Sequence, residues 1–88
     1  MTDISNHADT RIAAISIIIE DKSKAEEVNA LLHEYSAYII GRLGLPYAKK
    51  NVSIICVIID APTPVTSALS GKLGMIRGVS SKTNTSKI

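Results

Sequence analysis

Eighty-eight residues, 45% hydrophobic and 20% charged with a net charge of +2, make one small domain, too apolar for a disordered chain and too punctuated by charge for a membrane span. A single cysteine, Cys56, excludes an internal disulfide and a multi-cysteine metal cage. The polar start carries no basic-then-apolar leader, so a cytoplasmic protein is expected.

Residues 1–10 mix small polar groups with an isolated Ile4 and read as a flexible N-terminal tail. The β-branched run from Arg11 to Glu20 predicts a strand, and Asp21 to Ser23 a turn. Ser23 and Glu26 have capping-box spacing, and Ala25, Val28, Leu31, Leu32 and Tyr35 follow as a helical stripe. Ala37 to Pro46 reads as a second strand containing Gly41 and Gly44, and Tyr47 to Asn51 as a polar loop. Val52 to Ile59 is the clearest strand, stopped by Asp60-Ala-Pro62. Thr63-Pro64 looks like an N-cap with proline at the first helical position. Val65, Ala68, Leu69 and Leu73 continue that helix to a stop at Gly74. Val79 to Thr85 is a last, more polar strand, and residues 86–88 a C-terminal tail. The order β-α-β-β-α-β over residues 11–85 predicts an α+β, ferredoxin-like antiparallel sheet with two helices on one face.

In that topology the other face of the sheet is open and should show a polar residue at every second position. The first strand instead carries Ile12, Ala14, Ser16 and Ile18 on one side and Ala13, Ile15, Ile17 and Ile19 on the other. The third carries Val52, Ile54, Cys56 and Ile58 against Ser53, Ile55, Val57 and Ile59. These two strands are the expected central pair, and both are apolar on both sides. Side chains of this kind on an uncovered face form a patch of several hundred Å², about the limit of what monomers expose. A homo-oligomer, dimer or tetramer, is therefore expected, as it is from the small core, which lacks Phe and Trp.

Few constellations carry chemistry. Basic residues are scattered, with Lys49-Lys50 the densest pair, so autonomous nucleic-acid binding is not expected. RNA-recognition domains share this element order but stack bases on central-strand aromatics. Residues 12–19 and 52–59 contain no aromatic. His7 and His33 are the only imidazoles, and with Cys56 they form no metal-ligand spacing, so neither metal nor cofactor is expected. No paired-carboxylate or Ser/His/Asp pattern marks a catalytic residue. Gly41-Arg42-Leu-Gly44 can present backbone amides and a guanidinium to an anion, although a glycine-relieved bulge beside an exposed arginine is the favoured reading of these residues by themselves. Ser70-Gly71-Lys72-Leu73-Gly74 lacks the full phosphate-loop pattern and sits at a helix C-terminus, where the dipole disfavours anions.

The stretch Tyr38 to Tyr47, Val52-Ser-Ile-Ile, Asp60-Ala-Pro, Ser67-Ala-Leu-Ser-Gly-Lys-Leu-Gly74 and Gly78-Val79 resembles iron-only hydrogenase system regulators. These are small ACT-like proteins similar to the C-terminal domain of nickel-responsive repressors. The resemblance covers about residues 11–85 and implies a non-enzymatic, homo-oligomeric regulatory module binding a small effector or a partner protein. It carries over no metal site and no DNA-binding segment. Gly41, Arg42 and Gly44 are the candidate ligand-binding residues, on a strand where ligands sit between subunits. The competing reading is a small enzyme on the same scaffold, a dimeric oxygenase or an acylphosphatase-like hydrolase. It needs a pocket lined by Tyr35, Tyr38, His33 or Arg42, and an Arg42–Asn51 pairing favours the hydrolase.

Overall fold

The structure, a computed structural model, describes residues 9–88. Most of the expected N-terminal tail lies outside the described residues. The elements are β1 (Thr10–Ile19), α1 (Ala25–Glu34), β2 (Ile39–Tyr47), β3 (Val52–Pro62), α2 (Thr63–Gly74) and β4 (Val79–Thr85). Short 3-10 turns stand at Lys22–Lys24, Ser36–Tyr38 and Ala48–Lys50. The strands form one sheet in the order β2-β3-β1-β4, with every neighbouring pair antiparallel. The predicted α+β, ferredoxin-like plan with β1 and β3 at the centre is the observed one.

Local boundaries differ where other hydrogen-bond partners, near in sequence or across the sheet, outweigh the expected ones. Ser23 does not form a capping box with Glu26. Its amide and hydroxyl instead donate to Asp21 Oδ1, at 3.0 and 2.7 Å, and α1 begins two residues later, at Ala25. These two bonds hold the Asp21 carboxyl below its ordinary pKa. Ser36–Tyr38 closes a 3-10 turn, with the Tyr38 amide donating to Tyr35 O at 2.9 Å, so β2 starts only at Ile39. Asp60, Ala61 and Pro62 extend β3 instead of ending it, because β1 offers Ile12, Arg11 and Thr10 as partners. Past β4, the Ser86 amide donates to Ile12 O at 2.9 Å and the Ile12 amide to Ile88 O at 2.8 Å, so residues 86–88 run alongside β1.

Alternation along β1 and β3 sorts the core. Ala13, Ile15, Ile17 and Ile19 and, opposite them, Ile55, Val57, Ile59 and Ala61 are buried beneath Val28 and Leu32 of α1 and Leu69 and Leu73 of α2. Among the described residues no element covers the opposite face in this way. Ile12, Ile18, Leu43, Leu45 and Tyr47 are exposed there, with Leu43 at 67%, and Ala14, Ile54, Cys56 and Ile58 are half-buried between them. Polar side chains appear on this face along β4, at Ser80, Lys82 and Asn84.

One backbone contact ties the turn after β1 to the start of β4. The Gly78 carbonyl accepts from the amides of Glu20 (2.7 Å) and Asp21 (3.1 Å). Gly78 has φ +77°, and a Cβ there would lie 2.5 Å from the Asp21 Cβ. Gly78→Ala therefore meets both a left-handed backbone and a clash, and is expected to lower stability by about 1–3 kcal/mol in chemical denaturation.

Candidate functional site

α1 is ten residues long and leaves part of the helix-side sheet surface bare near β2. Antiparallel partners share a face, so Arg42, Gly44 and Pro46, opposite Val57, Ile55 and Ser53, all point to the helix side. Of these three only Arg42 is long. A cleft of about 300 Å³ results, with Ile19 and Ile55 at its base, Ala25 and Asn29 of α1 on one side, and Arg42, Gly44, Pro46 and Ser53 on the other.

The Arg42 guanidinium donates to Asn29 Oδ1, and Asn29 Nδ2 donates to the Ala25 carbonyl at 2.9 Å. The asparagine thus links the arginine to the first turn of α1. Among the described residues no carboxylate lies within ion-pair distance of Arg42; the ion pair they contain is Lys24–Glu27 at 4.0 Å. A guanidinium has five N–H groups in a planar fork, so most of its donors remain free for a carboxylate or phosphate. The arrangement suits a small ligand with an anionic head at Arg42 and an apolar body on the isoleucines.

The structure brings two of the three sequence candidates together. Arg42 and Gly44 share the cleft, whereas Gly41, opposite Ile58, belongs to the other face of the sheet. A register shift stands between Ile39 and Gly41, so the bulge falls at Ile40, just before the Gly41–Gly44 segment where it was expected, and Gly41 to Gly44 pair with β3 without a break. Gly44 is not demanded by packing, since a Cβ there would meet nothing within 4 Å; its missing side chain widens the cleft. Asn29 and Ser53 were not readable as site residues, because α1 and β3 meet Arg42 only through the fold. Asn51, φ 57°, ends the turn before β3, and Arg42 bonds Asn29 instead of it, so the arrangement favouring a hydrolase is not formed. His33 is exposed on α1, and Cys56 sits half-buried on the open face rather than in the core. Among the described residues no group of three or more His, Cys, Asp or Glu is placed to hold a metal, and no helix is long and apolar enough to cross a membrane.

Residues 11–83 match the TM1266-like family, described as "Iron-only hydrogenase system regulator, putative". The structure of TM1266 from Thermotoga maritima is 40% identical, with a TM-score of 0.82 over 86% of this chain and 96% of that one. The ACT domain of GTP pyrophosphokinase from Chlorobium tepidum is 19% identical over 89% of this chain and 88% of that one, with a TM-score of 0.66, a likeness of fold. A formyltetrahydrofolate deformylase from Pseudomonas putida matches at 11% identity and a TM-score of 0.60, over 83% of this chain and only 28% of its own length. No curated protein matches.

Arg42 makes its bond at the surface, so Arg42→Ala is expected to change unfolding free energy by no more than about 0.5 kcal/mol. A larger loss in urea denaturation would make the residue a structural one.

Proposed function

The chain belongs to the TM1266-like family of iron-only hydrogenase system regulators, and from that premise we propose a non-enzymatic regulatory module that works as a homo-oligomer and binds a small effector. The uncovered sheet face carries this reading. Ile12 and Ile18 of β1 and Leu43, Leu45 and Tyr47 of β2 lie exposed on either side of the half-buried Ile54 and Ile58 of β3, and most of the polar residues of that face are on β4, with Ser16 and Asp60 the others on the central strands. The occupant is a second copy. A twofold axis laid on this face sets apolar side chains against apolar side chains, as an isologous dimer requires. At about 25 cal/mol per Å², burying two patches of several hundred Å² yields on the order of 10 kcal/mol gross. The entropy of association, about 4–15 kcal/mol, consumes much of that gain.

The effector reading rests on the cleft beside α1. Its Arg42 guanidinium, turned to the helix side and without a carboxylate partner among the described residues, suits a small molecule bearing a carboxylate or phosphate. Gly44 leaves the room for it.

Sedimentation analysis at micromolar concentration is expected to give a multiple of the monomer mass, and a clean monomer defeats the assembly. Leu43→Lys with Ile18→Lys changes only exposed positions, so the doubly charged variant is expected to stay folded and lose the face contact. Native mass spectrometry of the purified protein is expected to show a retained small anion that Arg42→Ala loses. Retention of the same molecule by Arg42→Ala would remove the cleft from the proposal.

A further inference from the structure

We propose that the cleft between α1 and β2 selects a short aliphatic carboxylate that bears no ammonium group. The proposal rests on the reading of this cleft as an effector site and narrows it to one class of molecule. The head of that molecule is set by a single cation. Arg42 is the one charged side chain among the described residues lining the cleft, and its guanidinium is drawn aside to Asn29 Oδ1. A planar fork matches the two oxygens of a carboxylate, and one positive charge balances a monoanion. A phosphate monoester brings nearly two negative charges, and no second cation among the described residues lines the cleft to meet them. The adjoining first turn of α1 already carries Glu26 and Glu27, which complement the helix dipole and repel the excess charge.

The same charges stand against an amino acid. An α-ammonium lies beside its own carboxylate and hence beside the guanidinium, and leaving water it needs an acceptor in the cleft. No carboxylate among the described residues lines the cleft. Of the acids near it in sequence, Asp21 accepts both Ser23 donors and Glu27 pairs with Lys24. The Asn29 side-chain oxygen already accepts from Arg42, and the Ala25 carbonyl from Asn29 Nδ2 at 2.9 Å. Ser53 adds one hydroxyl, a neutral group that serves a carboxylate oxygen equally well.

The remaining walls are apolar and set the body of the ligand. Ile19, Ala25, Pro46 and Ile55 present hydrocarbon to whatever Arg42 holds by its head. A volume of about 300 Å³ stands at the low end for small-molecule sites, which fits an acyl chain of a few carbons and leaves out a nucleotide. Gly44 keeps that space open, since a Cβ there would meet nothing within 4 Å.

Isocaproate and L-leucine have one carbon skeleton, without and with the ammonium group, and their titration against the protein by amide NMR tests the selection. Isocaproate is expected to shift the amides of Asn29, Gly44 and Ser53 and to bind roughly tenfold or more tightly than L-leucine. Arg42→Ala is expected to weaken isocaproate by a similar factor, roughly tenfold or more. Gly44→Val puts its added atoms into open space, so it is expected to fold and to block isocaproate with Arg42 still in place. Equal or tighter binding of L-leucine, or of inorganic phosphate, at these amides overturns the proposal and leaves an anionic effector standing. If none of the three probes moves these amides, the proposal and the effector reading fall together. Isocaproate shifts confined to Ile18 and Leu43 of the open face, or undiminished binding to Gly44→Val, also overturn it.

Discussion

Two central strands that are apolar on both sides, in a chain with helices enough for one side, set the terms for everything else in this protein. β1 and β3 bury Ile15, Ile17, Val57 and Ile59 beneath the helices and turn Ile12, Ile18, Ile54 and Ile58 the other way. Among the described residues no element lies over that second surface. Burial of apolar area is non-directional and scales with area, which is why the proposed second copy would meet this face with its own.

The helix side shows the complementary economy. α1 and α2 are short, and they cover the middle of the sheet better than its edges. At the β2 edge the uncovered strip becomes a cleft because Gly44 and Pro46 fill little space there and Arg42 is drawn aside to Asn29. At the β4 edge it becomes a shallow groove of hydroxyls and glycine. One edge holds a charged group over apolar residues, which suits a small anion. The other is lined by small hydroxyl side chains and glycine and carries no charged group. A chain without Phe or Trp thus leaves open surface at the margins of a core built from aliphatic residues.

Sequence patterning reached the element order, the central pair of strands and the two-sided apolarity of that pair, since period-2 alternation records which residues share a face. It erred where another partner competes, whether close by in sequence or across the sheet. The Ser23–Glu26 spacing was sound for a capping box, but the nearby Asp21 carboxylate took both Ser23 donors. Asp60-Ala-Pro62 looked like a strand end until β1 supplied partners. Arg42 and Gly44 were legible as a pair on one strand, two residues apart and hence on one side. Gly41 was grouped with them by proximity in the chain, although one step along a strand reverses the face.

What the chain determined by itself, then, was periodicity: which segments are strands and helices, and that two strands have no polar side. Only the tertiary structure decided which side the helices take, that Asn29 meets Arg42, that Gly78 must pass over Asp21, and that β2 is broken as an edge while β4 is not. The physical reason is that alternation is a local consequence of backbone geometry. Cover, contact and edge protection depend on side chains and amides brought together from distant parts of the chain, and no short window of residues contains both partners.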